Sequence, residues 1–151
     1  MSFKNMSIQW KGLFIVFFMT YGIISYWMFY PYKPFVIEGD IKILNPDKKV
    51  APGGRLTYEM NVDKRMPLPA IIHKQLINHY IVTYSSITGN VPVGKRTMRV
   101  SILIPQYASS GKYKLKWEGV YHVNPIRDIS VIGLSEEFTV TGKCIPVKEK
   151  R

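Results

Sequence analysis

Three histidines, one cysteine and ten carboxylates are the side chains of this sequence best suited to move a proton, attack a carbonyl or hold a metal. Their spacing argues against each of these chemistries. His73 and His79 would share a face of one continuous strand, but about 20 Å apart at a rise of about 3.3 Å per residue. His122 is remote from both in sequence, and neither Cys-x-x-Cys nor His-x-x-x-His occurs, so no metal and no cofactor is expected. Glu136 and Glu137 are adjacent and would point to opposite faces of a strand, which prevents them from acting as a pair on one substrate atom. Glu38 and Asp40 do share a face, but Lys42 continues their row as an ordinary solvated stripe. There is no Gly-x-Ser-x-Gly elbow, and Gly53-Gly54 opens a strand rather than a phosphate-binding helix. Cys144 follows Lys143, whose ammonium favours the thiolate, but no base accompanies it. If the segment is exported, an interchain disulfide at Cys144 would make the protein a homo-oligomer. The expectation is a protein that is not an enzyme.

Charge is the stronger signal. Lys and Arg number 21 against 10 Asp and Glu, a formal net charge of +11. Lys112, Lys114 and Lys116 alternate with Tyr113, Leu115 and Trp117, so one strand would carry three lysines outward and three apolar groups inward. Lys64-Arg65, Lys95-Arg96 and the terminal Lys148-Glu149-Lys150-Arg151 add further clusters. Such a field draws a domain toward anionic lipid headgroups, anionic wall polymers or an acidic protein partner. Lysines in this pattern also keep a sheet soluble and guard its edges. Nucleic acid is not expected, because Tyr113 and Trp117 face inward and cannot stack on bases.

A second binding candidate is the loop from Lys64 to Ile72. Pro67 and Pro69 remove ladder donors there, and Met66 and Leu68 would lie exposed at the rim of the domain. The alternative is that Leu68, Ile71 and Ile72 cap the core. Ser85 to Val93 is a second long, apolar loop. The expected binding set is therefore Lys112, Lys114, Lys116, Lys64, Arg65, Met66 and Leu68.

The elements that must carry these residues are of two kinds. Residues 12–32 run without a charge and hold Leu13 to Met19, Ile23, Ile24, Trp27 and Phe29. As a helix rising about 1.5 Å per residue, this run reaches about 30 Å, the thickness of a bilayer's hydrocarbon core. The bulky Tyr26–Tyr32 segment lacks a small-x-small site, so an uncleaved signal anchor is expected rather than a removed signal peptide. Trp10 at one end and Tyr26, Trp27, Tyr30 and Tyr32 at the other would mark the two membrane interfaces. Lys4 and Lys11 in a short N-terminal flank, residues 1–11, favour the N-terminus in the cytoplasm and the remainder outside the inner membrane.

Beyond the helix the period is two. Leu56, Tyr58, Met60 and Val62 fall on one face of a strand from Arg55 to Asp63, and the lysine strand repeats the pattern. Further strands are expected at Val36–Leu44, Leu76–Tyr84, Thr97–Ile104, Gly119–Val123, Ile129–Leu134 and Glu137–Thr141, separated by Pro, Gly and Asn turns. No amphipathic helix is available to cross between parallel strands, so an antiparallel Ig-like β-sandwich over residues 33–141 follows, with a basic tail at 142–151.

Pro52-Gly53-Gly54 before the strand Leu56–Val62, then Ser110-Gly111 before Lys112–Trp117, and a closing Glu136-Glu137-Phe138-Thr139-Val140 resemble bacterial and phage Ig-like, fibronectin-III-like sandwiches. Tyr113-x-Leu115 stands where antibody domains carry Tyr-x-Cys. One such domain behind a single anchor is similar to small phage and prophage membrane proteins. The function this implies is a membrane-anchored binding or assembly module facing a protein or envelope partner. The alternative is a structural subunit of a larger membrane assembly, its helix packed through Gly22 and its sandwich a spacer.

Overall fold

The computed structural model describes residues 8–142: one helix followed by a body that is mainly β. Helix α1, Ile8–Phe29, is apolar on all sides and long and apolar enough to cross a membrane. Its 22 residues rise about 33 Å. No residue of its spanning stretch is buried, unlike a core helix, and its C-terminal end touches the β body. It starts earlier than residue 12 and ends before residue 32, because Pro31 lacks an amide hydrogen and forces Tyr30 out of the helical region.

Among the described residues ten strands follow: β1 (Phe35–Ile43), β2 (Lys49–Val50), β3 (Arg55–Lys64), β4 (Ala70–Ile77), β5 (Ile81–Thr83), β6 (Ile87–Gly89), β7 (Gly94–Leu103), β8 (Gly111–Asn124), β9 (Arg127–Leu134) and β10 (Phe138–Val140). They form two sheets. One has the order β1-β3-β7 and is antiparallel. The other runs β2-β10-β8-β4-β5, with β9 on β8 and β6 on β4, and is mixed because β2 pairs with β10 in parallel.

Three expectations are corrected. The stretch Leu76–Tyr84 is not one strand: it turns at Asn78-His79-Tyr80, where the Asn78 amide carbonyl accepts from the His79 N–H at 2.6 Å, and returns as β5. The loop expected at 64–72 is shorter, because Ala70, Ile71 and Ile72 already belong to β4. The loop expected at 85–93 contains β6, which pairs with the start of β4. Apolar residues on both faces of β4 hid its alternation.

Alternation elsewhere places the core. Leu56, Tyr58, Met60 and Val62 of β3 are buried against Tyr113, Leu115, Trp117 and Tyr121 of β8, with Phe138 and Val140 closing one end. Phe35 stacks on Trp117 with ring centres 5.5 Å apart and on Tyr121 at 5.8 Å. Each such ring, taken fully out of water, contributes about 1.5–3 kcal/mol.

The two sheets join along one side. Ile41 and Ser135 form a parallel bridge, and the Glu136 N–H donates to the Ile41 carbonyl at 3.1 Å. Gly133 allows this approach, since a Cβ there would lie 2.6 Å from Ile37 Cδ1 and 3.1 Å from Ile41 Cδ1. A bulge in β1 at Gly39, with φ at +79°, bends that strand toward its neighbour. On the opposite side β7 and β6 pair only within their own sheets, and the Tyr84 hydroxyl crosses the gap to the Leu103 carbonyl at 2.9 Å.

Candidate functional site

The turn between β8 and β9 sits on the end of α1. Asn124 Nδ2 donates to the Trp27 carbonyl at 2.9 Å, and Arg127 Nη1 donates to the carbonyls of Met28 at 2.7 Å and Tyr30 at 2.8 Å. The Trp27 and Met28 carbonyls are among those a helix end leaves without intrahelical partners, at the negative pole of its dipole, and the Tyr30 carbonyl lies just beyond it. The guanidinium satisfies the Met28 and Tyr30 carbonyls at once. Tyr30 packs against Tyr26 at 5.0 Å and Tyr32 at 4.8 Å, forming an aromatic collar at the junction. Trp10, Tyr26 and Tyr30 are exposed, whereas Trp27 and Tyr32 are half-buried. The sequence singled out these aromatics but not Asn124 or Arg127, whose partners lie 97 and 99 residues away. Only the Asn-Pro turn signal marked the place.

Lys112, Lys114 and Lys116 lie together on the outer face of the larger sheet. Their positive field is partly cancelled, because Lys112 Nζ pairs with Glu137 at 2.9 Å and Lys116 Nζ with Glu118 at 2.9 Å. The Glu137 carboxylate holds the Lys112 ammonium above its ordinary pKa, while Lys116 holds the Glu118 carboxyl below its own. Lys114 has no ion pair within 4.0 Å among the described residues and is the cation this face presents. Around it, Ile77 lies opposite on β4, and the exposed Ile132 and Leu134 flank Lys116 and Glu118 on β9.

Lys64 is placed differently from the expectation. It is 1% exposed, and its Nζ donates to the Leu68 carbonyl at 2.7 Å and to Asn90 Oδ1 at 2.8 Å. Burial, and then the neighbouring Arg96, hold its pKa below that of an ordinary lysine. The parity of β3 carries the signal: Lys64 continues the inward series Leu56, Tyr58, Met60, Val62. Arg65 is exposed but pairs with Asp63 at 2.9 Å, Met66 is half-buried, and Leu68 packs on the core. Lys64, Met66 and Leu68 therefore form a closed corner, and Arg65 is the exposed member of the four.

The three-stranded sheet presents a self-compensated outer surface, with Lys95 on Glu38 at 2.7 Å and Arg99 on Glu59 at 3.2 Å. Glu136 and Glu137 bind different partners, Lys48 and Lys112. His122 Nδ1 meets Asp128 Oδ1 at the surface, and among the described residues no cluster of three His, Cys, Asp or Glu could hold a metal. Cys144 and the cluster Lys148–Arg151 lie outside the described residues.

No family model matches the chain, and no curated protein sequence matches it. Solved structures align with it distantly. An alkylpurine DNA glycosylase, AlkC, from Pseudomonas fluorescens bound to DNA with an abasic site analog is 8% identical, with a TM-score of 0.43 over 74% of this chain and 31% of that one. The sporulation control protein Spo0M from Bacillus subtilis is 12% identical, with a TM-score of 0.44 over 74% of this chain and 51% of that one. A β-glucosidase from Listeria innocua in complex with glucose is 11% identical, with a TM-score of 0.36 over 72% and 17%. The chain thus spans about half or less of each of these proteins, and likeness at this level points to no shared activity.

Proposed function

We propose that the chain is a single-pass membrane protein whose Ig-like domain stands outside the cytoplasmic membrane and binds an acidic protein or an anionic envelope component through the face around Lys114. The observation that carries this reading is the junction at Arg127 and Asn124. It fixes the β body to the end of a bare apolar helix, so the face is held at one orientation near the membrane. Holding a weak binding face at a surface raises its effective concentration there.

Strand order supports the Ig-like part. The sheet orders β1-β3-β7 and β2-β10-β8-β4-β5 are those expected of strands A, B, E and A′, G, F, C, C′ in such a domain, with β6 on β4 and β9 on β8 as additions. In β8, the position of strand F, the Tyr113 hydroxyl donates to the Ser109 carbonyl at 2.9 Å, which matches the tyrosine corner of such domains. Leu115, fully buried, fills the place of the inter-sheet cysteine.

The test uses the full chain in its native cell. It should sediment with membranes until detergent is added, and an impermeant maleimide should label Cys144, the single cysteine, in intact cells. Binding of the detergent-solubilised protein to anionic wall polymer or anionic vesicles should weaken on Lys114→Glu with no change in melting temperature. Protein that remains in the supernatant without detergent, or a Cys144 reached only after lysis, defeats the proposal. Loss of complex formation on Gly22→Leu with unchanged binding by Lys114→Glu would instead favour a subunit of a membrane assembly.

A further inference from the structure

The open side of the body, between β6 and β7, leads to an internal pocket of about 220 Å³. Its walls are apolar and come from both sheets: Met60 and Met98 from one, Ile72 and Trp117 from the other. Four polar side chains interrupt this lining: Tyr58, Lys64, Lys74 and Tyr121. Tyr58 is fully buried, and its hydroxyl has no hydrogen-bond partner among the described residues. Lys74 lies opposite Trp117 on the inner side of β4, and no ion pair holds its ammonium among the described residues. Burial holds the Tyr58 hydroxyl above the ordinary tyrosine pKa and Lys74 below the ordinary lysine value, so the site combines a neutral donor with a partly desolvated cation. Of the other two, Lys64 is already engaged by Leu68 and Asn90, and the Tyr121 hydroxyl, its pKa also raised by burial, is a further neutral donor on the wall.

A buried donor left unpaired is costly, and an apolar wall that offers a hydroxyl donor beside an unpaired ammonium is complementary to an anion on an apolar stem. A dry cavity of roughly 150 Å³ holds benzene, so by proportion about eight or nine carbons fit here. We propose that this pocket binds an unbranched aliphatic carboxylate of about that length, its chain between Met60, Met98, Ile72 and Trp117 and its carboxylate accepting from the Tyr58 hydroxyl and the Lys74 ammonium. The proposal depends neither on the membrane reading nor on the outer lysine face.

The experiment follows Trp117, which lines the pocket, in full-length protein held in nanodiscs of neutral lipid. Trp10→Phe and Trp27→Phe leave Trp117 as the single tryptophan of the three. Octanoate should shift its emission saturably, whereas octan-1-ol, with the same chain and no charge, should bind at least about tenfold more weakly. Tyr58→Phe and Lys74→Met should each weaken octanoate by about tenfold or more, while any partitioning into the lipid stays the same. Tyr58→Phe should also keep or raise the melting temperature, because it removes an unpaired group. Ala70→Leu, which fills the pocket from β4, should abolish the response. No saturable response to octanoate up to about 5 mM, equal binding of the alcohol, or unchanged affinity in both Tyr58→Phe and Lys74→Met would overturn the assignment. A lower melting temperature for Tyr58→Phe would show that the hydroxyl serves the fold and would overturn it as well.

Discussion

Arg127 and Met28, 99 residues apart in sequence, meet at 2.7 Å where the turn between β8 and β9 caps the end of α1. With Asn124 on Trp27 beside it, this contact turns the segment from Tyr30 to Pro34 from a flexible leash into part of a fixed joint. Removing it should loosen the joint without unfolding either part. Arg127→Met combined with Asn124→Ala should accelerate amide hydrogen exchange at Tyr30 and Tyr32 by about tenfold or more, since hydrogen bonds to charged groups are worth about 1.5–3 kcal/mol. Unchanged exchange would mean that the joint is held by something else.

Lys64 behaves as a core residue and should respond to mutation as one. Lys64→Met leaves the Leu68 carbonyl and Asn90 without their donor, and about 1–3 kcal/mol of stability should be lost in denaturant melts. Lys114→Met, on the open outer face, should stay within about 0.5 kcal/mol of the parent. Equal effects at the two positions would contradict the burial of Lys64.

Glu136 gives the fold an acid-sensitive tie. The Lys48 ammonium, and then the Ile43 N–H at 2.8 Å, hold its carboxyl below the usual glutamate value. A carboxyl that is harder to protonate in the folded chain contributes stability that is complete above its unfolded pKa of about 4.3 and is lost as pH falls through the lower folded value. Thermal melts should therefore drop below about pH 4.3, and Glu136→Gln should be less stable at pH 7 yet show a shallower drop on acidification. A parallel pH profile for the two proteins would refute the tie.

Gly133 should tolerate a side chain only at a cost, because Ile37 and Ile41 of β1 lie over it. Gly133→Ala places a methyl 2.6 Å from Ile37 Cδ1, the end of a side chain that can turn aside, and 3.1 Å from the buried Ile41 Cδ1, and should cost about 1 kcal/mol. Ile37→Val removes that methyl, so the double variant should recover part of the loss in a mutant cycle. Additive losses would place the strain elsewhere.

The inward set of β3 and the alternation of β8 could be read from the sequence because each has one wet face and one dry face. β4 could not: Ile71 and Ile77 on its outer side match Ile72 and Leu76 on its inner side, so no period shows. Lys64 was legible in principle by parity, but its charge suggested the surface. The cap at Arg127 and the orphan hydroxyl of Tyr58 have no linear signature, because both depend on segments that only folding brings together. The ion pairs that mute Lys112 and Lys116 are hidden for the same reason in one case, while Lys116 and Glu118 are two apart on one strand face and could have been foreseen.

A capped joint also converts lipid geometry into body posture. If α1 crosses a bilayer as proposed, its apolar stretch Trp10–Phe29, 20 residues rising about 30 Å, matches an average hydrocarbon layer and would tilt in a thinner one. Because Arg127 and Asn124 bind the carbonyls at the helix end, the β body would lean with it, and membranes of different thickness would present Lys114 at different angles to whatever lies above.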